Sequence, residues 1–155
     1  MENDVTIDQD YQLWVLLHQV CVATTRAREK ELREVGISRM QATVLFWLKA
    51  SNKSVTPAEL SRLLFREPHT IFGLLNRMEQ QGFVKKIKDM ERKNLVRVVL
   101  TEKGEELWQK SKDMTAMHTI MDSLSLEQRE MLRLYLGILR NTALKEIGLQ
   151  PLSFP

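Results

Sequence analysis

TPAELSRLLFREPHTIFGLLNRMEQQGFVKKIKDMERKNLVRVVLTEKG, residues 56–104, is the stretch on which the fold turns. Thr56-Pro57-Ala58-Glu59 is a capping box with proline at the first helical position, where no amide hydrogen is needed. It predicts a short helix ending near Phe65. Glu67-Pro68 restarts the chain as a second helix that stops at Gly82. In that helix Ile71, Leu74, Leu75 and Met78 recur at helical spacing, an apolar stripe suited to packing on Leu60, Leu63 and Leu64. The period then changes. Residues 83–89 and 95–101 alternate and are rich in Val and Ile, which predicts two strands joined by Met90-Glu91-Arg92-Lys93-Asn94. Two short helices with a tight connection, followed at once by a basic two-stranded ribbon, form a winged helix-turn-helix pattern. The second helix of such a pair enters the DNA major groove.

The face of that helix opposite its stripe presents His69, Thr70, Phe72, Gly73, Asn76 and Arg77, with Arg66 and Pro68 at its start. Asn76 suits adenine, His69 and Thr70 can donate or accept, and an exposed Phe72 suits a thymine methyl. Gly73 lets the backbone approach the groove. The competing reading is that His69 and Asn76 only solvate a surface helix while Phe72 is buried. The ribbon carries Lys85, Lys86, Lys88, Arg92, Lys93 and Arg97 against Asp89 and Glu91. From it we select Lys85, Lys88, Arg92, Lys93 and Arg97 as DNA-binding residues, with Arg92 and Lys93 on a phosphate backbone or in a minor groove. Such contacts supply affinity and salt dependence rather than sequence choice.

Charge follows this division. Residues 53–104 hold 11 Lys+Arg against 6 Asp+Glu, whereas the remainder holds 12 against 14, so the positive excess lies in the middle third. Outside the reading head, Asp10 precedes a helix over residues 11–35 closed by Gly36, and Ser38-Arg39-Met40-Gln41 caps a helix over 39–50. Thr101 caps a helix predicted over 102–122, and Ser125-Leu126-Glu127-Gln128 opens one running to about residue 147. A tail with two prolines follows. The expected fold class is mainly α with a small β-wing, one domain over 1–155. Its winged helix-turn-helix spans about 38–101, between dimerisation helices at about 10–35 and 102–147.

The final helix is apolar on two sides. Leu132, Tyr135, Leu136, Leu139 and Ala143 make one stripe; Met131, Leu134 and Ile138 make another. A helix covering only its own core needs one stripe, so the second wants a partner unless the preceding helix buries it. The first helix offers Leu13, Trp14, Leu16, Leu17, Val20 and Cys21. A homodimer interface is therefore placed on Leu13, Leu17, Met131, Leu134, Tyr135 and Ile138, and two-fold symmetry matches half-sites one DNA turn apart.

The order of elements and the residues resemble the multiple antibiotic resistance regulator (MarR) family of bacterial and archaeal transcription factors. Its most specific part runs from Thr56-Pro57-Ala58-Glu59-Leu60 through Leu75-Asn76-Arg77-Met78-Glu79-Gln80-Gln81-Gly82-Phe83-Val84, then Asp89, then Val98-Val99-Leu100-Thr101-Glu102-Lys103-Gly104. The resemblance implies a homodimer binding palindromic operators in double-stranded DNA. Such proteins usually repress nearby genes until a small ligand or oxidant releases them. Two features depart from the family pattern. The wing reads Asp89-Met90-Glu91-Arg92-Lys93-Asn94 where the family commonly has Asp-x-x-Asp-Arg-Arg, and the recognition helix starts with Pro68-His69. The operator therefore cannot be borrowed from a relative.

For control, a ligand pocket like the family's would draw on Trp14, His18, Trp47, Met114, Met117 and His118, against the plainer reading that these are ordinary core. A redox or metal response would use Cys21, the single cysteine, with His18 one turn away; two ligand-type residues fall short of the usual three or four. A winged-helix protein-interaction module is the remaining alternative. Three scattered histidines, no glycine-rich phosphate loop and no nucleophile constellation speak against an enzyme, and no cofactor is expected. The acidic, polar start is no signal peptide, and no apolar run approaches the roughly 18–20 residues that span a bilayer, so the chain reads as cytoplasmic, with no membrane partner.

Overall fold

The computed structural model describes residues 7–51, 54–92 and 94–151. It is mainly α-helical with a small two-stranded wing, as expected. The order is α1 (Gln9–Val35), α2 (Arg39–Ala50), α3 (Pro57–Leu64), α4 (Pro68–Gln80), β1 (Val84–Lys88), β2 (Val96–Leu100), α5 (Glu102–Ser111), α6 (Thr115–Met121) and α7 (Leu126–Glu146).

The helix punctuation is physical. Ser38, Thr56 and Ser125 each form a reciprocal capping box, satisfying amides that a helix start leaves open. At the first helix the cap is Asp8, not Asp10: its carboxylate accepts from the amides of Asp10 and Tyr11 at 2.7 and 3.1 Å. Gly36 closes α1 in the left-handed conformation, φ 80°. β1 and β2 pair antiparallel from Val84–Leu100 to Lys88–Val96, and Val55 adds an isolated bridge to Val98. The core gathers Val44 and Leu45 of α2, Leu60 of α3, Ile71, Leu75 and Met78 of α4, and Val84 and Val98 of the wing, all essentially inaccessible. Burying each such side chain contributes roughly 1.5–3 kcal/mol.

Gly104 locks α5 against this head. A Cβ there would sit 2.0 Å from the Phe83 carbonyl oxygen, so only glycine lets the first turn of α5 reach the base of β1. Thr101 completes the joint: its hydroxyl donates to the Gly82 carbonyl at 2.5 Å and accepts from the Gly104 amide at 3.0 Å.

The single helix expected over 102–122 is two. α5 stops at Ser111, and α6 starts at Thr115 after Met114 takes a left-handed φ of 47°. No glycine or proline marks the break; its support comes from α1. Arg28 donates from Nη2 to the Ser111 carbonyl, and Glu31 Oε1 accepts from the Ala116 amide at 2.5 Å. These are helix-end groups that would otherwise lack partners.

Within the chain α7 shares no substantial packing with any other described element. Leu144, near its C-terminal end, is buried, and Arg140 lies over the Phe65 ring at 6.0 Å, at the turn after α3. The alternative in which the preceding helix buries the second stripe of α7 does not hold: Met131, Leu134 and Ile138 are all exposed, like Leu13 and Leu17 of α1 and Tyr135 of α7.

Candidate nucleic-acid interface

The interface is built on the α3–α4 turn. Phe65 ends α3 in a left-handed conformation, φ 51°. Ser61 then holds the turn from both sides: its hydroxyl donates to the Arg66 carbonyl at 2.5 Å, and its own carbonyl accepts from the Arg66 amide at 3.0 Å. Pro68 opens α4 with φ already suited to a helix. With Ile71, Leu74, Leu75 and Met78 inward, the outer face is set. His69, Thr70 and Arg77 are exposed, and so are Arg66 and Pro68 before them. The His69 Nε2 and Thr70 hydroxyl lie 3.3 Å apart. Phe72 is 54% exposed, so the competing reading of a buried ring is set aside.

Gly73 occupies the middle of this face. A Cβ there would meet nothing closer than the Arg77 guanidinium at 3.9 Å, so packing among the described residues does not require glycine. An interior helical glycine costs about 1 kcal/mol relative to alanine. The position therefore carries a destabilising residue that the fold itself does not need.

Lys86 of β1, a ribbon lysine outside the selected site residues, joins the helix to the wing. Its Nζ lies 3.2 Å from Glu79 Oε2 and 4.9 Å from the Phe72 ring centre, and it donates to Asn76 Oδ1. Its backbone amide also donates to Glu79 Oε1 at 3.0 Å. That amide above all, helped by the ammonium, holds the Glu79 carboxyl below its ordinary pKa. Asn76 is thus half-buried with its oxygen engaged, and its amide NH₂ is what it can offer outward.

Asp89 organises the wing tip. One carboxylate oxygen accepts from the Glu91 and Arg92 amides at 2.8 and 3.0 Å, and the other accepts from Arg97 Nε at 2.6 Å. The Arg92 amide first, then the Arg97 guanidinium and the Glu91 amide, lower its pKa from 3.8 to about 2. Arg97 also donates to the Ser54 carbonyl at 3.3 Å. Arg97, expected among the DNA contacts, has its Nε and Nη1 engaged within its own protein, where a carboxylate and a carbonyl converge on it. Lys85, Lys88 and the Arg92 side chain are exposed; Lys93 lies outside the described residues. An aspartate two and three residues before turn amides is a local signal legible in Asp89-Met90-Glu91-Arg92. Lys86 had no such signal, since its partners lie on another element.

The proposed pocket residues are dispersed in character. Trp14 and His18 stack with ring centres 6.2 Å apart on the exposed face of α1, whereas Trp47 is buried in the core beside Phe46. Met114 sits at the α5–α6 break, with Met117 and the exposed His118 on α6. Cys21 is exposed on α1. A separate cavity of about 630 Å³ opens between the α3–α4 turn and the end of α7, lined by Phe65, Arg66 and Pro68 on one side and Ile147 and Leu149 on the other. Among the described residues no three His, Cys, Asp or Glu side chains are grouped to hold a metal, and no helix is long and apolar enough to cross a membrane.

A family model described as MarR family matches residues 35–104, the segment that holds this interface. Among solved structures, the organohalide-sensing transcriptional regulator RdhR in its 2,4-dichlorophenol-bound form is 27% identical, with a TM-score of 0.81 over 100% of this chain and 96% of that one. A cysteine-to-serine mutant of MarR from E. coli complexed with operator DNA gives 21% identity and a TM-score of 0.73, covering 83% of this chain and 93% of that one. The S. aureus MepR–DNA complex gives 18% and 0.77, covering 88% and 99%. The last two show the shared fold. No curated protein matches the sequence significantly.

Proposed function

This chain belongs, through its 35–104 segment, to the MarR family of winged-helix transcriptional regulators, and from that premise we propose that it is a homodimeric repressor reading a palindromic operator. One observation carries the reading. Lys86 touches Phe72, Asn76 and Glu79 together, so the outer face of α4 and the basic wing form one continuous surface. Gly73 on that surface has no internal explanation, and Phe72 keeps more than half of its surface open beside Lys86; a DNA groove supplies a role for each. In this reading His69, Thr70, Phe72, Asn76 and Arg77 meet base edges, while Arg66, Lys85, Lys88, Arg92 and Lys93 meet phosphates. Arg97 acts from behind by holding the wing through Asp89.

The exposed apolar faces of α1 and α7 support the homodimer. A small organic effector is supported by RdhR, which is solved both with 2,4-dichlorophenol and ligand-free.

Footprinting on the gene's own promoter tests the function. The expected result is protection of a palindrome of roughly 15–25 base pairs, with affinity falling steeply as salt rises. Arg92→Glu should weaken binding at all sequences and flatten the salt dependence. Equal affinity for promoter and random duplex would remove the operator reading.

A further inference from the structure

We propose that Arg28 and Glu31 are positioning residues, a two-ended clamp on the α5–α6 break that sets how the reading head hangs from the dimer helices. The proposal rests on the DNA-binding homodimer reading above. α5 is welded to the wing base by Gly104 and Thr101, so its direction is the direction of the head. α6 leads into α7, whose uncovered face belongs to the partner. The angle at the break therefore sets the relation between head and dimer axis.

Nothing local dictates that angle. Residues 105–123 contain neither glycine nor proline, and residues 102–121 have the pattern of one continuous helix of about 30 Å. Yet Met114 sits at φ 47°, a left-handed conformation unfavourable for a side chain with a Cβ. The α6 start also has no side-chain cap of its own. The helix ends on either side of Met114 are both met from α1. Arg28 donates to the last carbonyl of α5, at Ser111, which is 1% exposed. Glu31 accepts from the Ala116 amide in the first turn of α6. The two side chains hold each other at 3.1 Å, half-buried.

The clamp has polarity, which separates it from an ordinary ion pair. A donor faces a carbonyl and an acceptor faces an amide. Exchanging the charges, Arg28→Glu with Glu31→Arg, keeps an ion pair but sets carboxylate against carbonyl and guanidinium against amide. Replacing both by glutamine removes the charges but keeps a donor for Ser111 and an acceptor for Ala116.

The experiment compares affinity for the footprinted palindrome with affinity for a duplex carrying one half-site, using the full-length dimer. Charge exchange should lower palindrome affinity roughly tenfold or more and leave half-site affinity unchanged, because each head still reads DNA but the two no longer fit together. The double glutamine variant should stay within about threefold of wild type on both duplexes. Wild-type palindrome binding by the exchanged protein overturns the clamp, and so does an equal loss on both duplexes. If the exchanged protein does not fold, the glutamine variant decides alone: a tenfold palindrome-specific loss in it shows that charge pairing, not end-capping, matters. Absence of specific binding by the wild type itself strikes the repressor reading instead, so the two failures are distinct.

Discussion

The reading head and the helices that flank it use apolar residues for opposite purposes. Among the described residues, every buried apolar side chain except Leu32 and Leu144 lies between Ile37 and Val98. The flanking helices are as well supplied, but α1 leaves Leu13, Trp14, Leu16 and Leu17 in the open, and α7 leaves Leu134, Tyr135, Ile138 and Leu139. The head thus completes its core within one chain. A helix that is apolar around much of its circumference and leaves most of that surface uncovered by its own chain is hydrophobic for something outside it. On the proposed homodimer reading the difference divides affinity for DNA: the head would supply the contacts, and the flanks would supply the second head.

The sharpest way to break this contrast is to charge the flank. Leu134→Glu with Ile138→Glu places two carboxylates one turn apart on the open face of α7. Sedimentation should show a monomer, and affinity for the palindrome should fall by about 10²–10⁴, the advantage that joining two binding units confers. Circular dichroism should still report a folded head. A persistent dimer would move the interface elsewhere.

Truncation sharpens the comparison energetically. Leu75→Ala empties a fully buried site in α4 and should destabilise the head by about 2–5 kcal/mol in denaturant titration. Leu139→Ala, on the open surface of α7 and measured in the monomeric background, should stay within about 0.5 kcal/mol. Similar costs at the two sites would mean that α7 buries this face within its own chain.

The same contrast decided what was legible in sequence. Caps, glycine stops and the change of period are local, and they placed the head's helices and strands to within a residue or two. Phe72 and Gly73 could be marked because a large apolar residue and a glycine both stand out on a polar helical face. What escaped depends on partners distant in sequence. The break at Met114 is held by Arg28 and Glu31 from 80 or more residues away. Arg97 counts as a basic wing residue until Asp89 and the Ser54 carbonyl are seen to take it inward. Lys86 looked like one lysine among several, although it is the residue that fastens wing to helix.

The smallest expected effect tests whether the wing belongs wholly to the head. Asp89 has a depressed pKa, so its contribution to wing order is fully present above its ordinary value of 3.8 and is lost as pH falls through about 2. The Arg97 Nε–H resonance should accordingly keep its bonded shift at pH 4 and lose it near pH 2. Asp89→Asn should remove the ion pair at neutral pH and cost DNA affinity only a few-fold, since the asparagine oxygen can still accept from the Glu91 and Arg92 amides. The salt dependence discriminates further. Arg92→Glu deletes a phosphate contact and lowers the slope, whereas Asp89→Asn frees Arg97 and should raise it by up to about one ion. A lower slope in Asp89→Asn would mean that Asp89 acts by presenting Arg92 to the phosphates, leaving Arg97 as no more than its tether.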